Sequence, residues 1–127
     1  MPRPKILIAQ RYESGARMAS RLFVGREYDK YMLDFAENLQ MAINTMRHAN
    51  DAGDPYRAVI SSVLFDNGQS WEDLYREAQK YTPHPVFIVY TSIEPRVPKP
   101  QTPEVHVVDK LEGDHGRRKI MDLLRQL

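Results

Sequence analysis

The sequence predicts an α/β fold in which a mostly parallel five-stranded sheet carries helices on both faces. Short apolar runs alternate with segments whose apolar residues recur at helical spacing, in the order βαβαβαβ, a loop, then βα. Parallel neighbours need right-handed crossover connections, which place the helices against the sheet. With 127 residues, 42% of them hydrophobic, the chain fits a single domain spanning residues 1–127.

In the first half of the chain, Lys5–Ala9 is a near-continuous apolar run, typical of a strand covered on both faces. Ser14 is a good N-cap for the helix that follows, and Gly25 can stop that helix. Tyr28–Phe35 is more polar and half alternating, which predicts an edge strand. A second helical stripe is formed by Leu39, Ala42, Ile43 and Met46.

The second half repeats the pattern. Residues 58–65 are β-branched and apolar, which predicts a second central strand, and Ser70 with Asp73 resembles the capping box of a third helix. Residues 86–90 are the most strand-like segment of the chain. Four prolines in residues 93–103 predict an extended loop, because proline removes a backbone donor and fixes φ. Residues 105–108 form a last strand, and the closing helix has the apolar face Ile120, Met121, Leu124 and Leu127.

Composition excludes several functional classes. Eighteen Lys and Arg against 17 Asp and Glu give a formal charge of +1, so no global field attracts nucleic acid or an anionic membrane. The absence of cysteine excludes a disulfide framework and thiolate metal chemistry. No apolar stretch approaches the ~20 residues of a membrane helix. We therefore expect a soluble, cytoplasmic protein.

Four segments, in order and over essentially the whole chain, resemble the receiver domain of bacterial response regulators. Residues 5–11 are similar to the first receiver strand, 56–65 to the third, 85–91 to the fourth and 107–110 to the fifth. The resemblance implies a flavodoxin-like, doubly wound sheet of order 2-1-3-4-5, with ligands at the carboxyl ends of the strands. It also implies that the proline-rich loop replaces the fourth helix of the family.

The chain departs from this family at the phosphorylation pocket. Where receivers carry two adjacent acids after the first strand, this chain has Gln10 and Arg11. Where they carry the phosphorylated aspartate, it has Ser62 or, with a one-residue slip, Ser61. The hydroxyl and the lysine of the family are retained. The resemblance therefore implies a degenerate pocket made of Gln10, Arg11, Ser62, Thr91 and Lys110.

These substitutions change the chemistry that the pocket supports. Mg²⁺ requires hard oxygen ligands, which the acidic pair and the aspartate supply in the family. An amide, a guanidinium and a hydroxyl instead oppose a cation, and serine cannot replace the phosphorylated aspartate. We predict a pseudo-receiver that is not an enzyme, with no catalytic residue, no metal and no cofactor.

Two functions follow from this interpretation. The first is a non-catalytic, receiver-like signalling or regulatory domain that acts by protein–protein interaction without aspartyl phosphorylation. The alternative is a sensor that binds a small ligand, a nucleotide or a flavin in the crevice at the carboxyl ends of the strands.

The proline-rich stretch supplies a candidate partner-binding surface. A polyproline-like segment is preformed and loses little entropy when it enters a groove on another protein. The predicted partner is another protein or a second domain; nucleic acid and membrane are not predicted, and a homodimer stays open. The residues proposed for partner binding are Pro95, Pro98, Pro100, Pro103 and Tyr90.

Other conspicuous residues have ordinary interpretations. The histidines at 48, 84, 106 and 115 lack the spacing of metal ligands. Asp66, the one acid directly after the third strand, belongs to an Asp-Asn-Gly turn, so we expect a turn residue rather than a displaced phosphate acceptor. The basic cluster Arg117–Lys119 is typical of the solvated face of a helix.

Overall fold

The fold is known from a computed structural model that describes residues 3–10, 15–91 and 105–127. Five strands form one sheet in the order β2-β1-β3-β4-β5, and every neighbouring pair is parallel, as the sequence predicts. The strands are β1 (Lys5–Ala9), β2 (Met32–Ala36), β3 (Ala58–Ser61), β4 (Val86–Thr91) and β5 (Val105–Asp109). The helices are α1 (Gly15–Leu22), α2 (Leu39–Asp51), α3 (Trp71–Ala78) and α4 (Asp114–Leu124).

The sheet separates two hydrophobic cores, because successive side chains of a strand point to opposite faces. Leu7, Val59 and Phe87 pack with α2 and α3, whereas Ile8 and Ile60 pack with α1 and α4. This two-sided burial explains why β1 and β3 are continuously apolar rather than alternating. Within the described ranges, no helix is long and apolar enough to span a bilayer.

Two helices begin at capping residues. The Asn38 side-chain oxygen accepts a 2.8 Å hydrogen bond from the Met41 N–H at the start of α2. At α3 the predicted capping box is confirmed: the Ser70 side chain accepts from the first turn, and Asp73 Oδ2 accepts from the Ser70 N–H at 2.9 Å. The predicted N-cap of α1, Ser14, lies outside the described residues.

The predicted edge strand 28–35 is shifted in the structure. Residues Gly25–Lys30 form a 3₁₀ helix, and β2 begins only at Met32. Tyr31 is 7% exposed and packs in the core, with its ring 5.6 Å from that of Phe23, whereas Tyr28 is 40% exposed and its ring lies 6.1 Å from that of Phe23. The half-alternating pattern therefore covers a 3₁₀ turn as well as the strand.

The predicted strand 58–65 is also too long. The strand ends at Ser61, one further hydrogen bond joins the Ser62 N–H to the Ala9 carbonyl, and the chain then turns so that Leu64 bridges Ser70 in the antiparallel sense. Phe65 is nonetheless 1% exposed, because it packs into the core beneath α2 and α3. The apolar run therefore reports burial rather than strand continuation.

Candidate functional site

The candidate site lies at the carboxyl ends of the central strands. Because β1, β3, β4 and β5 are parallel, the residues that follow them meet at one edge of the sheet. Ala9 pairs with Ser61 and Thr91 pairs with Asp109, so the neighbouring strands of each pair end side by side at this edge. Of the five predicted pocket residues, Gln10, Ser62, Thr91 and Lys110 lie there; Arg11 lies outside the described residues.

Gln10 is fixed at the end of β1. Its N–H donates to the Ala36 carbonyl at 3.1 Å, and the residue is only 2% exposed. Its side-chain oxygen Oε1 accepts a 3.1 Å hydrogen bond from Ser62 Oγ. The amide nitrogen Nε2 is buried and has no hydrogen-bond partner among the residues that the structure describes. One end of the Gln10 amide is therefore satisfied within the site and the other is not.

Ser62, rather than Ser61, is the hydroxyl that faces Gln10. The Ser62 N–H donates to the Ala9 carbonyl at 2.8 Å, which extends the β1–β3 ladder by one residue and brings the Ser62 hydroxyl beside Gln10. Ser61 is fully buried and donates its hydroxyl to the Ser62 carbonyl at 2.8 Å. Of the two positions that the sequence left open, only Ser62 contacts another member of the site.

Thr91 and Lys110 complete the described part of the site. Thr91 ends β4 and is 6% exposed, and Lys110 directly follows β5. Lys110 Nζ lies 5.4 Å from the centroid of the Tyr90 ring, a cation–π distance. The Lys110 ammonium group therefore lies beside Tyr90, a residue that the sequence analysis placed on the predicted partner-binding surface.

Tyr90 is a correction to the predicted partner-binding surface. It is 7% exposed and belongs to the core between the sheet and the helices α1 and α4. Side chains of β4 alternate between two covered faces, so the tyrosine ring is buried and offers little area to a partner. The other members of that predicted surface, Pro95, Pro98, Pro100 and Pro103, lie outside the described residues.

Asp109 is a site residue that sequence reasoning missed. It ends β5, opposite Thr91, and its Oδ1 accepts a 2.8 Å hydrogen bond from the Leu111 N–H. The side chain thereby caps the 3₁₀ helix Lys110–Glu112, which turns the chain away from the sheet. An aspartate directly after an apolar run was the available signal, since aspartate is a favoured N-cap.

The described part of the site is therefore dominated by hydrogen-bonding groups rather than by a carboxylate cluster. Gln10 and Ser62 are neutral, and the nearby Asp109 uses one oxygen as a cap. Over residues 3–10, 15–91 and 105–127, no group of three or more His, Asp or Glu side chains could hold a metal ion. The geometry supports polar recognition at this edge.

The predicted turn and the basic cluster behave as expected. Asp66 begins a 3₁₀ turn in which Asn67 and Gly68 have φ of 60° and 74°, which is the usual role of an Asp-Asn-Gly sequence. Arg117 donates to Glu27 and Asp114 at 3.0 and 3.1 Å, and these contacts raise the pKa of its guanidinium. The remaining basic residues pair similarly, Arg118 with Asp114 and Lys119 with Glu112.

Comparison with solved structures identifies the fold. A response regulator receiver domain protein from Bacillus halodurans matches over 98% of this chain and 97% of its own, with a TM-score of 0.69 and 11% identity. The chain has the receiver-domain fold. A receiver protein from Sinorhizobium medicae is similarly close, with a TM-score of 0.68, 12% identity, and 96% and 97% coverage.

Two further solved structures are similar to this chain. The receiver domain of the hybrid histidine kinase CckA matches 96% of each chain, with a TM-score of 0.63 and 15% identity. The anti-anti-sigma factor PhyR from Bartonella quintana matches 99% of this chain and 51% of its own, with a TM-score of 0.58 and 12% identity. No protein-family model matches the sequence, and no curated protein matches it.

Proposed function

We propose that this chain is a receiver-like signalling or regulatory domain that works by binding another protein, without aspartyl phosphorylation and without a resident metal. The carrying observation is the Gln10–Ser62 hydrogen bond, which occupies the junction of β1 and β3 with an amide and a hydroxyl. In a receiver those positions supply carboxylates for Mg²⁺ and for the phosphoryl group. In this proposal the receiver-type fold is kept while aspartyl phosphorylation is lost. We also propose that the domain works in the cytoplasm.

The proposed interaction mode rests on the sequence of the proline-rich stretch, residues 93–103. The partner is a second protein or a neighbouring domain, and self-association is a further form of the same proposal. The similarity to PhyR, an anti-anti-sigma factor, is compatible with such a role. The basic cluster Arg117–Lys119 gives no reason to propose nucleic acid as the partner, because its residues are in ion pairs.

The phosphorylation half of the proposal is tested by mass spectrometry. The protein is incubated with acetyl phosphate and Mg²⁺, and a variant carrying Gln10→Asp, Arg11→Asp and Ser62→Asp serves as the matched positive control. We expect the triple variant, but not the native chain, to gain a labile adduct of about 80 Da, the mass of one phosphoryl group. A stoichiometric labile adduct on the native chain would refute the proposal.

The interaction half is tested by affinity capture with the native chain and with residues 93–103 replaced by a glycine–serine linker. A specific partner should bind the first with a measurable Kd and the second at least about tenfold more weakly, a difference of 1.4 kcal/mol. Equal binding of that partner to both proteins would exclude the proline-rich stretch as the recognition element.

A second function is favoured by one observation, the unpartnered Nε2 of Gln10. A buried polar group without a hydrogen bond is uncommon in folded proteins and points to a water or a ligand oxygen that would accept from it. This supports the alternative of a small-ligand, nucleotide or flavin sensor at the same edge. Thermal-shift measurements with nucleotides, flavins and oxyanions test it, and Gln10→Leu should abolish any shift observed.

A further inference from the structure

A groove of about 460 Å³ lies at the other edge of the sheet, where the strands begin. One wall is the last two turns of α2. The floor is formed by Lys5, the first residue of β1, and by Tyr56, two residues before β3. This volume is in the range of small-molecule sites, roughly 300–1,000 Å³. The groove is remote from the candidate site, because parallel strands begin and end at opposite edges.

Lys5 carries a cation that is mostly buried and poorly satisfied. Its side chain is 15% exposed, and Nζ lies 4.8 Å from the centroid of the Tyr56 ring. The nearest carboxylate oxygen, Asp54 Oδ2, is 3.7 Å away, beyond hydrogen-bond distance. An ammonium group has three donors and no acceptor. Among the described residues, Lys5 Nζ therefore has a carboxylate and an aromatic ring as neighbours, and neither contact is a hydrogen bond.

The wall contributed by α2 is also rich in donors. Thr45 and His48 line the groove, and Asn44 accepts a hydrogen bond from Gln40 through its amide oxygen, which leaves its NH₂ group for another partner. The Tyr56 hydroxyl is already used, since it donates to Asp34 at 2.6 Å. Tyr56 therefore contributes its aromatic ring to the groove. The donors of Lys5 and α2 suit a ligand that carries several hydrogen-bond acceptors.

The carboxyl end of α2 does not block an anion here. A helix C-terminus disfavours negative charge through its unpaired carbonyls. In this helix three of those carbonyls are occupied, because the N–H groups of Ala52, Gly53 and Asp54 donate to the carbonyls of His48, Asn50 and Ala49 at 3.0 Å. The remaining competitor is the Asp54 carboxylate, which is 66% exposed and can move away from Lys5.

We propose that this groove binds an oxyanion-bearing small molecule, with the anionic group on Lys5 Nζ and the apolar body against Ala49, Ala52 and the Tyr56 ring. A phosphate monoester and a carboxylate share the required chemistry, since both offer only acceptor oxygens. The site is independent of the proposed partner binding and of the crevice at the other edge, so each can fail without the others.

The test uses phenyl phosphate, benzoate and phenol as probes, with binding followed by titration calorimetry and by the amide resonances of Ala49, Ala52 and Tyr56. We expect saturable binding of one or both anions and none of phenol, and the stronger anion identifies the source of the oxyanion. Lys5→Gln should weaken binding at least about tenfold, as expected for a lost charged hydrogen bond, while Lys5→Arg should retain it.

Asp54→Asn distinguishes the site from a simple surface ion pair. If Asp54 competes for Lys5, its neutralisation should tighten anion binding by about two- to fivefold, a modest gain typical of exposed charges. Lys119→Gln, on α4, is the control and should change nothing. The proposal would be overturned if no saturable binding occurs up to ~10 mM probe, because the binding free energy would then be weaker than about 3 kcal/mol. Binding that survives Lys5→Gln in a folded protein would also overturn it.

Discussion

At the scale of single residues, the Gln10–Ser62 pair explains how a pocket can lose its carboxylates without losing the fold. The two adjacent acids and the phosphorylated aspartate of a receiver pocket are all negatively charged, so they repel each other unless a cation is present. An amide and a hydroxyl need no counter-ion, because each can satisfy the other. The cost of the exchange is local: Gln10 Nε2 stays buried without an acceptor in the described part of the chain.

This arrangement predicts an asymmetry between two substitutions. Ser62→Ala removes the donor to Gln10 Oε1 and leaves both ends of a buried amide unsatisfied, so we expect a loss of about 1–3 kcal/mol in unfolding free energy. Gln10→Leu removes the unsatisfied group itself and should cost less or stabilise. Urea unfolding of both variants and of the double variant measures the difference. A larger loss for Gln10→Leu would show that Nε2 has a partner in solution.

At the scale of elements, α4 and β5 approach each other closely at Gly116. A Cβ placed on this residue would lie 2.9 Å from the Asp109 carbonyl oxygen and 3.2 Å from Val108 Cγ1. The first atom belongs to the backbone and cannot swing aside. Gly116 therefore sets the distance at which the last helix packs on the edge strand.

Gly116→Ala is consequently expected to destabilise the protein by about 1–3 kcal/mol, the usual cost of overpacking, although alanine is the better helix former by about 1 kcal/mol. The measurement is the midpoint of thermal or urea unfolding. Arg118→Ala, at an exposed position of the same helix, is the matched control and should be nearly neutral. Stabilisation by Gly116→Ala would mean that α4 sits farther from β5.

The helices α2 and α3 are joined by a nearly buried carboxylate. Glu77 on α3 is 5% exposed and accepts hydrogen bonds from Arg47 of α2 at 3.1 Å, from Lys80 at 3.2 Å and from the Tyr81 hydroxyl at 2.7 Å. Burial alone would raise the pKa of Glu77, but these hydrogen bonds outweigh it and hold the pKa below its ordinary value. Burial and Glu77 together raise the pKa of Tyr81 to about 12.

The lowered pKa of Glu77 predicts the direction of acid sensitivity. Its contribution to stability is complete above the ordinary glutamate pKa of about 4.3 and is lost as pH falls through the lower folded-state pKa. The difference in unfolding free energy between the native chain and Glu77→Gln should therefore shrink from pH 6 towards ~pH 3. Urea unfolding across this range measures it.

Asp114→Asn is the control for that experiment. Hydrogen bonding to Arg117 and the charge of Arg118 also lower the pKa of Asp114, but its side chain is 65% exposed and solvent screens it. We expect a smaller and more salt-sensitive effect than at Glu77. A pH-independent difference for Glu77→Gln would show that the pKa of Glu77 is the same in the folded and the unfolded protein.

At the scale of the whole molecule, fold and chemistry separate. The sheet order and the two-sided cores match receiver domains at TM-scores up to 0.69, although identity is 11–15%. Such low identity leaves the apolar pattern and the connections in common, and these determine the architecture. The residues at the carboxyl ends of the strands can differ without changing this architecture, and here they include the hydrogen-bonded pair Gln10 and Ser62.

The proposed loss of the metal site predicts how the melting temperature responds to Mg²⁺. A ligand that binds only the folded state raises the melting temperature, so the native chain should melt at the same temperature with and without ~10 mM Mg²⁺. The variant with Gln10→Asp, Arg11→Asp and Ser62→Asp should melt lower without Mg²⁺, because the acids repel, and recover several degrees with it. Equal Mg²⁺ stabilisation of both proteins would contradict the proposed loss of the metal site.

The sequence predicted the parts of the fold that depend on local pattern. The apolar runs of β1, β3, β4 and β5, the capping box at Ser70 and the order of strands and helices were all identified from periodicity and turn chemistry. It predicted less well where local pattern and tertiary role diverge. Tyr31 before β2 and Phe65 after β3 resemble strand residues, but they are apolar because they fill the core.

The same division holds for the site. The sequence by itself determined that Gln10 and Ser62 follow the first and third strands, where the resemblance to receivers predicts acidic residues. Only the tertiary structure decided that Ser62 rather than Ser61 meets Gln10, that Tyr90 is buried beneath Lys110, and that Lys5 lines a groove. These outcomes depend on which face of a strand each side chain occupies and on what packs there, and neighbours distant in the chain decide both.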